Sequence, residues 1–143
     1  MNNSLEEVLY GMQFRRLLDR EFDPLRNEYG LQKIDMQILG YLYKAGERNT
    51  SKDIMELGMF TKGHISQSLK RLSKKKLIRM VRDKKDRRCV HILLEEEACG
   101  IVQEIRGIEE RIQETVLRGV TEEEKKALDS VAEKIRQNIR NQN

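Results

Sequence analysis

The sequence predicts a mainly α-helical fold that carries one small β-hairpin and is organised around a helix-turn-helix. Apolar residues recur every three or four positions over most of the 143-residue chain, a spacing typical of amphipathic helices. Two consecutive helical segments begin at the capping residues Thr50 and Thr61, and a turn containing Gly58 separates them. Two short stretches of β-forming residues then flank a charged pentapeptide.

Two helices are predicted before this motif. Residues 4–22 carry apolar positions at helical spacing behind a Ser-x-x-Glu start at Ser4, which can form a capping box. We expect Pro24 to limit this helix, because proline lacks the amide hydrogen that a helix interior uses. A second apolar pattern covers residues 34–45 and stops at Gly46.

The second helix of the helix-turn-helix has two unlike faces. Counting about 100° per residue, its apolar stripe consists of Ile65, Leu69 and Leu72. The opposite face is small-sided and cationic, and it consists of Gly63, Gln67, Lys70 and Lys74, with Ser66 and Arg71 beside it. Small side chains let the backbone approach another surface, which a merely solubilising face does not require.

The hairpin is predicted from residues 77–82 and 88–94, with a tip of lysine and arginine held between two aspartates. On the second strand the inward set is Val90, Ile92 and Leu94, which leaves Cys89 and His91 on the other face. Two long helices follow, over residues 101–116 and, behind a Thr121 capping box, residues 121–139. Their apolar stripes exceed what the small central unit can cover, so we expect both to pair with the N-terminal helix of a second copy.

Positive charge is concentrated in the middle third of the chain. Residues 47–91 contain 14 basic and 5 acidic residues, a net +9, whereas residues 1–46 carry −1 and residues 92–143 carry −4. A basic centre between acidic flanks favours a polyanionic partner, of which nucleic acid is the leading candidate. On charge alone, the alternative is a solvated lysine-rich surface without a ligand.

Several classes of protein are disfavoured. No apolar run approaches the roughly 20 residues of a membrane helix, and the first eleven residues lack the basic-then-apolar order of a secretory signal. Cys89 and Cys99 form no C-x-x-C pair and are too few for a disulfide framework, so the expected location is the reducing cytoplasm. Paired carboxylates in an apolar setting, a phosphate-cradling glycine loop and a nucleophile–base spacing are missing from the sequence, so neither an enzyme nor a cofactor is predicted.

The histidines and cysteines do not predict a metal site. His64 lies on a cationic helix without a carboxylate at ligand spacing, and Cys89 and His91 share a strand face without two further ligands that the sequence identifies. Cys99 lies near the start of a long helix, where thiolates are favoured, so redox sensing stays open as an alternative.

Residues 72–94, LSKKKLIRMVRDKKDRRCVHILL, resemble the MarR (multiple antibiotic resistance regulator) family of bacterial winged helix-turn-helix repressors. The likeness lies in the end of the recognition helix, two strands, and an Asp-x-Arg wing that Asp86 and Arg88 match. The turn at residues 119–124 is similar to the one that opens the last helix of the family. The chain departs from the family at three positions. Lys76 stands where glycine is usual, and Glu95 and Gln32 each stand where threonine is usual.

The resemblance implies a winged helix-turn-helix with N- and C-terminal dimerisation helices, and a homodimer that represses transcription from a pseudo-palindromic operator. It divides one intertwined domain into residues 1–30 for dimerisation, 31–94 for DNA binding and 95–143 for dimerisation. It also implies a small aromatic acid or phenol as effector, bound where the dimer helices meet the winged module. Residues that can line such a site, and that equally suit a plain core, are Tyr10, Phe14, Met36 and Tyr41.

On this reading each subunit lays the second helix of the motif in a major groove of double-stranded DNA. The expected base readers are Ser66, Gln67 and Lys70, and the expected phosphate contacts are Thr61, Lys62, His64, Arg71 and Lys74. The wing contributes Lys84, Lys85, Asp86, Arg87 and Arg88. Arg88 contacts the minor groove or pairs with Asp86 to hold the wing, and both readings stay open. The alternative function is a winged-helix scaffold whose basic face binds an acidic protein.

Overall fold

The computed structural model describes residues 3–142; residues 1, 2 and 143, which the predicted dimerisation segments include, lie outside it. In that range the chain forms α1 (Asn3–Tyr10), α2 (Gln13–Tyr29), α3 (Lys33–Ala45), α4 (Ser51–Glu56), α5 (Lys62–Lys74), β1 (Ile78–Arg82), β2 (Val90–Leu94), α6 (Cys99–Val116) and α7 (Glu122–Arg140). A short 3-10 turn, Glu96–Ala98, precedes α6. The predicted fold class, mainly α-helical with one hairpin, is confirmed. The chain divides after Ile112 into a larger compact unit and a smaller one that begins at Gln113.

The first predicted helix is two helices in the structure. The amide of Gly11 donates to the carbonyl of Glu7 at 2.8 Å and closes α1. A Cβ atom at position 11 would lie 2.1 Å from the Glu7 carbonyl oxygen, so this turn accepts glycine only. The helix α1 begins at Asn3, and the capping position predicted for Ser4 is therefore wrong.

Pro24 lies inside α2 and does not limit it, contrary to the expectation from the sequence. Proline in a helix interior costs about 3 kcal/mol through a lost hydrogen bond and a steric clash. Packing offsets that cost, because Leu25 is buried and Phe22 packs against the same core. The helix ends at Gly30, whose φ of 63° lies in the left-handed region.

One hydrophobic core joins α2 to α6 and the hairpin. The predicted stripe on α5, Ile65, Leu69 and Leu72, is buried in it. The stripe on α6 is covered within its own chain at Ile101, Ile105, Ile108 and Ile112, which are at most 7% exposed, whereas its last residue, Val116, is 45% exposed. The expectation that α6 needs a second copy is therefore wrong for these isoleucines. The stripe on α7, by contrast, is open, with Leu128, Val131, Ile135 and Ile139 between 43% and 60% exposed.

The helix-turn-helix is formed as predicted. The hydroxyl of Thr50 accepts the Asp53 amide, and the Asp53 carboxylate accepts the Thr50 amide, which completes a capping box at α4. Gly58 adopts a φ of 71° in the turn. The hydroxyl of Thr61 accepts the His64 amide at 3.2 Å and begins α5. Local capping chemistry thus sets both helix starts.

The hairpin follows α5 directly. The helix closes through Lys76, a non-glycine residue with a φ of 61°, and the Leu77 amide donates back to the Leu72 carbonyl. The strands are antiparallel, with Ile78 opposite Leu94 and Arg82 opposite Val90. An isolated bridge between Thr50 and His91 joins β2 to the start of α4. No helix among the described residues is both long and apolar enough to cross a membrane.

Candidate nucleic-acid interface

The three predicted base readers lie together on one exposed face of α5. Ser66, Gln67 and Lys70 are exposed, whereas Ile65 and Leu69 on the other side are buried in the core. We call these three exposed residues the α5 face. An amide, a hydroxyl and an ammonium side by side can donate and accept hydrogen bonds without competing partners from the core.

The first turn of α5 is exposed as well. Thr61, Lys62 and His64 lie there at the surface, and the Thr61 hydroxyl caps the helix by accepting the His64 amide. The amides of a first helical turn carry partial positive charge, and Lys62 adds a full one. This end of α5 can therefore attract an anion such as a phosphate.

Arg71 has a structural partner that the sequence did not predict. We expected it at DNA phosphate, but its guanidinium binds the carboxylate of Asp35, with Nη2 2.9 Å from Oδ1 and Nε 3.2 Å from Oδ2. The side chain of Asp35 is fully buried, and that of Arg71 is 29% exposed. Arg71 thus neutralises a buried charge and positions α5, a role that the sequence did not predict, and its expected phosphate contact stays a prediction.

The carboxylate of Asp35 has further donors. The Ser68 hydroxyl donates to Oδ1 at 2.5 Å, and the Gln32 amide donates to Oδ2 at 2.9 Å at the start of α3. A buried carboxylate is tolerated when it is paired and hydrogen-bonded on all sides. This network ties the first turn of α3 to the middle of α5 and so sets the rotation of the α5 face.

One signal in the sequence could have indicated this network. Ser68 follows Ile65 by three residues and precedes Leu72 by four, which puts a hydroxyl on the buried stripe. A polar residue on a buried stripe needs a partner. That the partner is Asp35, 33 residues earlier, depends on how α3 packs against α5 and cannot be read from spacing.

Three consecutive lysines lie at the C-terminal end of α5 and directly after it. Lys74, Lys75 and Lys76 are exposed at the helix end, and the Lys75 ammonium lies 3.4 Å from the Tyr29 carbonyl oxygen. Lys74 points away from the core, as the predicted phosphate role requires. The cations near the C-terminus of α5 also oppose the partial negative charge of that end.

The two aspartates of the wing hold its backbone. Asp83 Oδ1 accepts the amides of Lys85 and Asp86 at 2.7 and 3.2 Å, and Asp86 Oδ1 accepts the amide of Arg88 at 3.1 Å. The backbone is closed further by the Asp83 amide, which donates to the Cys89 carbonyl at 2.9 Å. Four cationic side chains are consequently presented at the exposed tip, namely Lys84, Lys85, Arg87 and Arg88.

For Arg88 the structure adds to the two readings left open. The contact that Asp86 makes is with the Arg88 amide, and the Arg88 side chain is exposed. Asp86 can thus hold the wing through the backbone while the guanidinium extends from it. This arrangement leaves the Arg88 side chain at the surface of the wing.

His91 connects the base of the wing to the body of the fold. Its Nδ1 lies 2.6 Å from Asn49 Oδ1, and its Nε2 lies 2.8 Å from Asp83 Oδ2. The hydrogen bond from His91 and those from the Lys85 and Asp86 amides lower the pKa of Asp83 to about 2. Asp83 is therefore an anion throughout the neutral range, where it fixes the loop and the histidine together.

The residues suggested for an effector lie in different surroundings. Met36 is buried in the core, and the Tyr41 hydroxyl donates to the Arg48 carbonyl at 2.6 Å, so these two have structural roles. Tyr10 and Phe14 are exposed on α1 and α2. A separate open groove beside the start of α5 is lined by residues that include Arg15, Lys33, Met59, Phe60 and His64.

Solved structures share this fold over nearly the whole chain. The transcriptional regulator PA3341 is 24% identical, with a TM-score of 0.81 over 94% of this chain and 95% of that one. A MarR protein from Peptoclostridium difficile is 21% identical, with a TM-score of 0.79 over 99% and 90%. The S. aureus MepR–DNA complex is 23% identical, with a TM-score of 0.76 over 96% and 98%. The fold is therefore the winged helix-turn-helix of MarR-type regulators.

Sequence similarity identifies the family itself. The family described as transcriptional regulator SarA/Rot matches residues 20–105, more than half of the chain. The matched range runs from the middle of α2 into α6 and includes the helix-turn-helix and the wing. The chain belongs to the SarA/Rot family of winged-helix transcriptional regulators.

Proposed function

We propose that this regulator binds a pseudo-palindromic operator in double-stranded DNA as a homodimer and represses transcription there. The observation that carries the proposal is the α5 face, where an amide, a hydroxyl and an ammonium stand exposed between a cationic helix start and a cationic wing. A helix of this kind fits the major groove of B-DNA. MepR, which has the same fold, has been solved as a complex with DNA, and this supports the proposal.

The α5 face supplies the sequence readout. Gln67 can pair bidentately with an adenine edge, and Lys70 can donate to guanine O6 and N7. Ser66 can serve either base, because its hydroxyl both donates and accepts. Each well-formed pair discriminates against a wrong base by about 1–3 kcal/mol.

Phosphate contacts flank the readers on both sides. Thr61, Lys62 and His64 approach the backbone at the start of α5, and Lys74 does so at its end. The wing places Lys84, Lys85, Arg87 and Arg88 at the neighbouring minor groove or its phosphates. Arg71, whose guanidinium binds Asp35 and whose side chain is 29% exposed, stays a further candidate for a phosphate contact.

The homodimer is supported by apolar surface that is exposed in each unit of the chain. In the larger unit α1 exposes Leu5, Val8 and Leu9, and in the smaller unit α7 exposes its stripe from Leu128 to Ile139. Regularly spaced apolar residues on a helix are normally covered. A second copy can cover exposed apolar residues of either unit, and it gives the two-fold symmetry that a pseudo-palindromic operator mirrors.

We further propose that a small aromatic effector releases the protein from DNA. The open groove at the start of α5 supports this, because it combines Met59 and Phe60 with the cations of Arg15 and Lys33. Such a lining suits an aromatic ring that carries an acidic group. His64 belongs to both the groove and the phosphate-facing turn, so a ligand there competes with DNA for one residue.

Selection of bound fragments from the source genome tests the proposed function. The full chain is incubated with sheared genomic DNA at near-physiological salt, with heparin as polyanionic competitor. We expect enrichment of fragments that share an inverted repeat with half-sites about one helical turn apart. If no preferred fragment is recovered, or if heparin abolishes all binding of DNA, the result would favour the alternative function, a basic surface that binds an acidic protein.

A further inference from the structure

Three metal-ligating side chains meet at the base of the wing. The carboxylate of Asp83, the thiol of Cys89 and a ring nitrogen of His91 all lie within 4.8 Å of one another. All three are partly buried, and the Asp83 amide bonds the Cys89 carbonyl across the neck of the loop. Strand alternation grouped Cys89 with His91, and the fold adds Asp83 as the third ligand.

Both ring nitrogens of His91 face oxygen atoms at short range. Nδ1 lies 2.6 Å from Asn49 Oδ1, and Nε2 lies 2.8 Å from Asp83 Oδ2. In the tautomer whose Nδ1–H donates to Asn49 Oδ1, the Nε2 lone pair is directed at the Asp83 carboxylate, and a metal ion between the two atoms can bind both. The neighbouring thiol of Cys89 distinguishes this site from a simple His–Asp pair.

Asn49 provides the support that metal-binding histidines usually have. Its residue is 8% exposed, and its own backbone carbonyl accepts the Ile92 amide at 2.9 Å, so the side chain is held firmly. A carbonyl-type oxygen that accepts Nδ1–H fixes the tautomer and the ring orientation, and it leaves Nε2 as the ligand atom. The ring of His91 is thereby aimed at Asp83 and Cys89 before any metal arrives.

We propose that Asp83, Cys89 and His91 bind a zinc ion, with water as the fourth ligand. Thiolate, imidazole and carboxylate together suit Zn²⁺, whereas Mg²⁺ and Ca²⁺ prefer oxygen alone. Ligand atoms of a tetrahedral zinc site lie about 3.3–3.8 Å apart. The observed separations of 2.8 Å to at most 4.8 Å bracket that range, so the exposed loop needs to shift by about 1 Å.

Binding exchanges protons for metal. The Cys89 S–H bond breaks, its proton passes to solvent, and sulfur bonds the ion; a proton on Nε2, where present, leaves in the same way. The ion then joins the two ends of the loop from Asp83 to Cys89 and connects them through His91 to Asn49. Zinc would therefore rigidify the wing. Any effect of this rigidity on DNA binding rests on the proposed function, whereas metal binding itself does not.

The chain offers matched controls, because one of its two cysteines and one of its two histidines lie outside the cluster. The full chain is reduced, stripped with a chelator and titrated with CoCl₂, then with ZnCl₂. We expect one Co²⁺ per chain, a thiolate-to-cobalt charge-transfer band, and loss of the band when Zn²⁺ displaces cobalt. The band should disappear in Cys89→Ser and His91→Gln and persist in Cys99→Ser and His64→Gln.

A second measurement needs no substitution, so it decides the question even when a variant fails to fold. The alkylation rates of Cys89 and Cys99 in the wild-type chain are compared by peptide mass spectrometry with and without ZnCl₂. We expect zinc to slow alkylation of Cys89 by at least about tenfold and to leave Cys99 unchanged. Equal rates at Cys89, a cobalt band that survives Cys89→Ser, or one metal per two chains would each overturn the site. None of these results bears on DNA binding.

Discussion

The guanidinium of Arg71 lies 2.9 Å from the buried carboxylate of Asp35, and this pair orients α5 against α3. The Ser68 hydroxyl and the Gln32 backbone amide also donate hydrogen bonds to the same carboxylate. Because Arg71 and the α5 face are on one helix, the pair sets the direction in which Ser66, Gln67 and Lys70 point. Arg71, a basic residue of α5, thus has a structural role in the fold in addition to any contact with a ligand.

The first prediction concerns Arg71→Ala. The substitution leaves a buried carboxylate without its cation, so we expect the free energy of unfolding to fall by about 3 kcal/mol. Lys74→Ala, which removes an exposed cation from the same helix, should change it by less than about 0.5 kcal/mol. Urea denaturation followed by circular dichroism measures both. Equal stabilities of the two variants would show that the pair contributes nothing to the fold.

The second prediction separates base readers from phosphate contacts. Gln67→Ala should weaken binding to the preferred operator by about 1–3 kcal/mol and leave binding to random duplex almost unchanged. Lys62→Ala should weaken both to a similar degree, because phosphate contacts carry no sequence information. Gln103→Ala, at an exposed glutamine of α6, is the matched control. Fluorescence anisotropy with the two duplexes measures the difference, and an equal loss on both by Gln67→Ala would remove it from the readers.

The third prediction concerns the wing aspartate Asp86. Removing its negative charge should by itself strengthen attraction to DNA, but Asp86→Ala also removes the acceptor of the Arg88 amide. We expect the structural loss to dominate and to cost about 1 kcal/mol of DNA affinity. Asp86→Asn keeps an acceptor oxygen and loses the charge, so its affinity should equal or exceed that of the wild type. A stronger complex with Asp86→Ala would contradict the role given to this carboxylate.

The fourth prediction is a pH dependence that arises from the capping box of α4. Hydrogen bonds from the Thr50 hydroxyl and amide hold the pKa of Asp53 below its ordinary 3.8. A lowered folded pKa means that this stabilisation is present above pH 3.8 and is lost as the pH falls through the folded pKa. Asp53→Asn should therefore cost about 1 kcal/mol at neutral pH and progressively less below pH 3.8. Urea titrations across this range measure the gap, and a gap that widens in acid would reverse the expected sign.

The fifth prediction concerns the open stripe of α7. Ile135→Glu places a charge where we propose that a second copy packs, so the dimer should weaken by about 2 kcal/mol or more, roughly a 30-fold rise in its dissociation constant. Lys126→Glu alters the charge of α7 by two units at an exposed position about 180° from Ile135, and it should leave the dimer intact. Sedimentation equilibrium distinguishes the variants. A wild-type chain that is monomeric at all concentrations would refute the proposed homodimer.

Features that depend on neighbours in sequence were predictable. The caps at Thr50, Thr61 and Thr121 and the stop at Gly46 follow from side chains within three or four residues of the helix ends. The buried stripe of α5, and hence its exposed face, follows from helical periodicity alone.

Features that depend on packing were not predictable. Arg71 meets Asp35 across 36 residues and His91 meets Asn49 across 42, and no local pattern encodes either pair. The helix α2 continues through Pro24 because Leu25 is buried, a gain that a rule for proline does not include. The sequence predicts which face of α5 is exposed. The residues that hold this face in position can be identified only from the three-dimensional structure.

The salt dependence of operator binding tests the central claim most directly. If a dimer neutralises about ten phosphates through α5 and the wing, the logarithm of the association constant should fall against the logarithm of salt concentration with a slope near −9. Anisotropy titrations between roughly 50 and 200 mM salt measure this slope. A slope of this size is the predicted result. A binding constant that does not change with salt concentration would contradict binding of DNA by the basic residues of α5 and the wing.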